Sequence, residues 1–355
     1  MTTPTPSSSE FDFHLNRPGA LIAALPAVLG FVPQRSLVLV TICRGELGCV
    51  MRADLADDMT ERIDHLVDLA ATAGADAVIA VVVDEASTDC RACDDRYREL
   101  ASVLEASLSV EGIELYAAHV VDRVAAGGFW HCADGCGAEG QVDDPGASPL
   151  AAAAVLDGRR LYDSRDELLA VIQPDPVAAA SMKRPLALSV QRPGLPDSRP
   201  DAEVRGDVEA AMQAAAQVAE GDVPSGAELA RLALGLADPR VRDTLYALAV
   251  GERAEQAEAL WALSARNLPD PWRVEALVLL AFSAYARGDG PLAGVALDAA
   301  LEARPTHRMA GMLDTALQAG MRPEQIRELA ITGYRLAEQI GVELPPRRTW
   351  RRRAC

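Results

Sequence analysis

Lysine is almost missing from this chain: of its 34 basic residues, Lys183 is the lysine and all others are arginine. Aromatic side chains are scarce too, at 4 % of 355 residues, so the core cannot be organised around large rings. Long apolar runs are absent. The most apolar stretch, Ala75–Val83, falls far short of the roughly 20 residues that span a bilayer. Met1–Glu10 is rich in Thr, Pro and Ser, with neither the basic nor the apolar segment of a secretory signal, so a cytoplasmic protein is expected. Also lacking are a Walker A loop, a G-x-S-x-G elbow, an H-E-x-x-H pair and a calcium-loop aspartate pattern. The five histidines, His14, His65, His119, His131 and His307, stand at no recognisable spacing from an acid or nucleophile. Several common enzyme classes are thereby excluded.

What is present is alanine, 65 residues of it, in a chain that is half hydrophobic. Small side chains favour closely packed helices, and the length suits two domains. Fifty-two acids against 34 bases give a net charge of −18, which repels nucleic acid and anionic lipid. One basic cluster departs from this: Arg347, Arg348, Arg351, Arg352 and Arg353, beside Pro345 and Pro346. It reads as a docking tail for an acidic partner or RNA, or more simply as a disordered, solubilising end.

The pattern along the chain predicts two kinds of architecture. Pro18 opens a helix with Leu21, Ile22, Leu25 and Leu29 on one face, ending at Gly30. Ser36–Cys43 and Cys49–Leu55 read as a β-hairpin around an Arg44–Gly48 turn. Asp76–Val83, a helix over Cys90–Leu108 and Glu114–Val121 form a β–α–β unit with parallel, doubly buried strands. A short strand, Phe129–Cys132, precedes a loop over Ala133–Ala147. The expected fold is therefore an α/β N-terminal domain, with a mixed sheet and flanking helices, followed by an all-α domain. Boundaries fall at a tail 1–16, an α/β domain 17–184, a Pro-rich linker 185–205, a helical domain 206–343 and an Arg-rich tail 344–355.

Within the helical half a period of 34 residues relates Ala247 to Ala281, Ala259 to Ala293, Leu263 to Leu297 and Pro271 to Pro305. Small residues where paired helices cross, with Pro closing the unit, give the tetratricopeptide spacing, and an ordinary Ala/Leu bundle is the plainer alternative. A third unit fails, with Arg327 and Gln339 at the key positions. Exposed helix positions such as Arg287 are then the expected partner contacts.

Two constellations could carry chemistry. Cys90-x2-Cys93 and Cys132-x3-Cys136, with His131 adjacent, are paired thiols of the sort that hold structural zinc. Reduced buried thiols and redox chemistry are the competing readings, and Asp89, Asp94 and Asp95 would oppose a dianionic tetrathiolate. Gly135–Gly140 spells G-x-G-x-x-G, but no helix pattern follows, so it is not a dinucleotide fingerprint. The second constellation is Arg35, Ser36, Asp54, Asp84 and Arg123, placed at strand ends where open α/β sheets bind ligands. Strand entry and capping would equally explain Ser36 and Asp84.

Leu25-Pro26, Leu29-Gly30-Phe31, Pro33 and Ser36-Leu37-Val38 together form a recognisable set with Asp54-Leu55, Trp130, Cys132, Asp144-Pro145, Ser148-Pro149, Ala154-Val155 and Gly158. In these the chain resembles the actinobacterial family called domain of unknown function 4192, over roughly Pro18–Gln339. The resemblance implies no activity, cofactor or catalytic residue. The expected function is a non-catalytic interaction or regulatory protein that binds a protein partner through its helical domain. Alternatives are a small-molecule hydrolase or transferase at the sheet end, and a zinc protein acting on nucleic acid.

Overall fold

A computed structural model describes residues 17–89, 91–156, 160–190 and 199–349. These form two compact units, one of residues 17–156 with 161–165, the other of residue 160 with 166–349.

The first unit is a mixed six-stranded sheet in the order β2-β1-β3-β4-β5-β6. Its strands are β1 (Ser36–Cys43), β2 (Glu46–Asp54), β3 (Ala77–Val83), β4 (Glu114–Val121), β5 (Phe129–Cys132) and β6 (Glu139–Gln141). Arg44 and Gly45 both take positive φ, 53° and 80°, the geometry that lets a two-residue turn follow the strand twist between β1 and β2. β3 and β4 are parallel, and every other pairing is antiparallel. The four helices are α1 (Pro18–Leu29), α2 (Thr60–Thr72), α3 (Arg91–Val110) and α4 (Pro149–Leu156).

Strand alternation then decides the layers. Leu37, Leu39, Val78, Ala80, Val82 and Val120 face α2 and α3, burying Ile63, Leu66, Tyr97, Leu104 and Leu108. Val38, Val40, Ile79, Val81, Val83 and Val121 point the other way, against Leu21, Ile22 and Leu25 of α1. A strand covered on both faces must be continuously apolar, and β3, AVIAVVV, is buried at every position. Gly19 allows α1 to lie against the Gln141 carbonyl of β6, where a Cβ would collide. The sequence pattern reads 133–147 as loop. Three of those residues form β6, because Trp130 pairs with Gly140 and presents its ring where a side chain would otherwise stand.

The second unit is helical, starting from α5 (Arg165–Ala170). Next come α6 (Pro176–Ser181), α7 (Lys183–Val190), α8 (Asp201–Ala219), α9 (Gly226–Leu236) and α10 (Pro239–Leu245), the last followed by a 3-10 turn over Tyr246–Val250. Then come α11 (Ala254–Asn267), α12 (Arg273–Arg287), α13 (Gly290–Ala303), α14 (Arg308–Gln318) and α15 (Pro323–Ile340). The Pro-rich stretch is not uniformly extended. Pro176 occupies the first turn of α6, and the Asp175 side chain accepts from the Val177 and Ala178 N–H groups, so this proline starts a helix.

α12 is the axis of the unit. Every residue from Val274 to Ala286 is buried, as in a helix wrapped on all sides. It packs against α11, α13, α15 and the 3-10 turn, while α15 also packs against α10. In a solenoid each repeat touches only its neighbours. Here the last helix folds back onto the first pair, and the result is a closed bundle. Arg287 is not an exposed contact position: its guanidinium bridges Glu258, at 2.9 Å, and Asp289, at 2.8 Å, and the side chain is 17 % exposed.

Candidate functional site

Antiparallel pairing places the start of β1 beside the ends of β2 and β3. Ser36 is opposite Asp54 on one side and Val83 on the other, and Val83 is opposite Val121 of β4. Arg35, Ser36, Asp54, Asp84 and Arg123 therefore share one end of the sheet. Their side chains do not share a pocket. Ser36 lies on the α1 side, with Val38, whereas Asp84 accepts a hydrogen bond from the Tyr97 hydroxyl of α3 on the opposite side.

The bonds at this end describe supports. Ser36 Oγ donates to the Gln34 carbonyl at 2.7 Å and accepts from Arg52 Nε at 2.8 Å. Neither partner is a base, so the hydroxyl is not prepared as a nucleophile. Arg52, absent from the sequence reading, also pairs with Asp54 and lies over the Phe31 ring at 5.8 Å. Asp84 Oδ1 takes the Ala86 N–H at 3.2 Å, which caps the following turn. Asp122 is the more buried carboxylate here. Its Oδ1 accepts from the Arg123 and Phe129 N–H groups and its Oδ2 from the Arg123 guanidinium at 2.6 Å. Arg35 is exposed at φ 43°, with its carbonyl held by the Leu55 N–H.

The hairpin turn between β5 and β6 brings together a different set. Cys132 Sγ, Cys136 Sγ and an oxygen of Asp134 lie within 4.8 Å of one another. His119 is directly opposite Cys132 in the β4–β5 ladder, and its Nδ1 is 3.5 Å from Cys132 Sγ. The His119 ring is 4 % exposed and meets Trp130 edge-on. Burial lowers its pKa, against the weaker pull of Asp134. Burial, with the nearby Cys136 and Asp134, pushes the Cys132 thiol up to about 12. Asp134 is held below its ordinary range by hydrogen bonds from Cys136. Gly135 and Gly137, at φ 75° and 78°, give the turn the left-handed corners that fold Cys136 back towards Cys132.

Of the two thiol pairs read from the sequence, Cys132 and Cys136 are thus adjacent. Cys90 lies outside the described residues, and Cys93 falls in the first turn of α3, its side chain likewise outside the description. His119 and Asp134 were missed. The alternation of β4 and its register with β5 is the signal that pairs His119 with Cys132, and it requires knowing that these strands are neighbours.

In the helical unit, residues 342–349 return as an extended strap. Pro346 accepts from the Glu252 N–H and Arg348 N–H donates to Val250, while the Tyr334 hydroxyl donates to the Pro345 carbonyl. Arg347 and Arg348 are thereby seated on the bundle, and Arg351–Arg353 lie outside the described residues. Beside the strap is a groove of about 470 Å³, lined by Val250, Arg327, Glu328, Ile331, Arg347 and Arg348. Among the described residues no helix is long and apolar enough to cross a membrane.

The family model of domain of unknown function 4192 matches residues 18–324, and the chain belongs to that family. No curated protein and no solved structure matches the chain.

Proposed function

We propose that the protein is a non-catalytic binding protein of the cytoplasm whose helical unit receives an acidic segment of a protein partner, in a regulatory role. The observation that carries this reading is the groove beside the strap. Val250 and Ile331 offer it an apolar floor, and Arg327, Arg347 and Arg348 line it beside Glu328, with Arg327 also paired to Glu324 and Arg348 to Glu255. In a chain of net charge −18 a groove lined by three arginines against one glutamate favours a negatively charged ligand. The 34-residue phase of the pairs α10–α11 and α12–α13 supports kinship with tetratricopeptide-like hairpins, but the groove lies at the strap and not in a solenoid's concave face. Free thiols at Cys43, Cys49, Cys132 and Cys136 suit a reducing compartment.

Exposed ion pairs contribute up to about 1 kcal/mol each, so affinity must come chiefly from the apolar floor and selectivity from the arginines. Selection of a random displayed peptide library on the full-length protein tests this division. Enrichment of peptides that join acidic residues to a large apolar one is expected. Ile331→Glu should abolish their binding, and Arg347→Glu should weaken it and flatten its salt dependence. Enrichment without acidic bias, or binding untouched by both substitutions, would overturn the proposal.

A further inference from the structure

The β5–β6 turn gathers Cys132, Asp134 and Cys136 into one cluster of metal-binding atoms, and His119 on the neighbouring strand reaches Cys132 from the buried side. Zinc bonds to sulfur at about 2.3 Å and to imidazole nitrogen at about 2.0–2.1 Å, so two such ligands at a tetrahedral angle stand about 3.5 Å apart. His119 Nδ1 and Cys132 Sγ are 3.5 Å apart, on neighbouring strands. Cys136 Sγ and an Asp134 oxygen fall with Cys132 Sγ inside a 4.8 Å cluster. We infer that the hairpin is a zinc site with Cys132, Cys136 and His119 as its ligands and Asp134 or water in the fourth position.

Charge separates this set from four cysteines. Two thiolates and a neutral imidazole balance Zn²⁺, whereas a tetrathiolate leaves two uncompensated negative charges on the site. The proton balance is simple: one zinc ion enters, the Cys132 and Cys136 thiols each lose a proton to solvent, and no electron moves. Rigidity is divided in a useful way. His119 is buried and braced by Trp130, so one ligand is fixed in advance. Cys136 and Asp134 are exposed on the turn, which gives the ion its way in and lets the turn close on it. The site is a clip that fastens the β5–β6 turn to β4, and it is independent of what docks on the helical unit.

Native mass spectrometry of the reduced full-length protein, stripped with chelator and returned to one equivalent of zinc, is the direct test. One zinc per chain is expected, and cobalt in its place should show thiolate-to-metal charge-transfer absorption. Cys136→Ser, at an exposed position, should abolish both signals while circular dichroism stays unchanged. His119→Gln should weaken zinc at least tenfold, and Cys90→Ser or Cys49→Ser should leave it intact. The inference fails if the reduced protein takes up no zinc, or if Cys136→Ser retains it. It fails equally if Cys90→Ser abolishes binding while His119→Gln does not, because the ligands would then be the four cysteines.

Discussion

Two histidines of this chain are deeply buried beside an acid, His119 at 4 % exposure in the sheet unit and His307 at 7 % in the helical unit. Their surroundings differ in one respect. His307 Nδ1 accepts the Ala310 N–H at the start of α14, so Nε2 carries the proton, and it stands 3.2 Å from both oxygens of Glu275. Arg304, at 3.0 Å, and Arg242, at 3.6 Å, complete the neutralisation of Glu275. Asp243, 2.8 Å from Arg242, supplies the second negative charge, so the two arginines are matched by two carboxylates and the cluster is a fastening between α10, α12 and the start of α14. Around His119 the neighbours are thiols, and the acid and one of the thiols face water. The same residue types are structural where donors and acceptors close on one another. On the inference drawn above, they are open to an ion where ligand atoms converge at the surface.

The strongest way to break this comparison is to remove Glu275. Glu275→Ala leaves Arg242, Arg304 and His307 without their shared carboxylate, and breaking a buried ion pair from one side costs about 3–5 kcal/mol. Denaturant unfolding should show a loss of that size, with Glu275→Gln intermediate. A loss under about 1 kcal/mol would mean the cluster is solvated and not a fastening. Acid titration gives the same answer by another route. Burial tends to raise the Glu275 pKa, but the hydrogen bond from His307, with the charges of Arg242 and Arg304, brings it below the ordinary glutamate value. A depressed native pKa adds stability that is complete above the unfolded value and disappears as pH falls through the native one. Wild-type stability should therefore fall more steeply below about pH 4.5 than that of Glu275→Gln.

A smaller effect tests whether the bundle is closed. Gly333 of α15 presents its backbone to Thr244 and Ala247, and an added Cβ would stand 2.8 Å from the Thr244 oxygen and from the Ala247 Cβ. Overpacking a tight contact typically costs about 1–3 kcal/mol, so Gly333→Ala should lower the melting temperature while Gly311→Ala, with open space around it, should not. Equal effects would return the helical unit to an open stack in which α15 has no such contact.

Much of the sheet unit was legible because its signals are local. AVIAVVV can only be a doubly covered strand, and Gly30 at φ 78° ends α1 where the pattern stops. β6 was not legible, since three residues, Glu139–Gln141, carry no alternation and depend on Trp130 for their place. α6 and α7 were hidden by prolines that mark a break when counted and a helix start when capped by Asp175. The helical unit showed its period but not its closure, because the contact of Gly333 with Ala247 joins residues far apart in sequence. The candidate site divides in the same way. The spacing of Cys132 and Cys136 is a sequence fact, whereas His119 enters through strand register, and the contact of Ser36 with Arg52 is also a matter of register.

The smallest expected effect sharpens the comparison most. If the hairpin cluster is a site and not a fastening, then without metal its exposed ligand should matter little to the fold. Cys136 is exposed, and substitutions at such positions usually change stability by no more than about 0.5 kcal/mol. Chelator-treated Cys136→Ser and chelator-treated wild type should therefore unfold at the same denaturant concentration, in contrast to the Glu275 variants. With zinc present the two should separate, because an ion that binds the native state alone stabilises it in proportion to the logarithm of its excess over the dissociation constant. A Cys136→Ser protein already weaker without metal would place the turn among the structural clusters, with His119 and Cys132 acting as a neutral hydrogen-bonded pair.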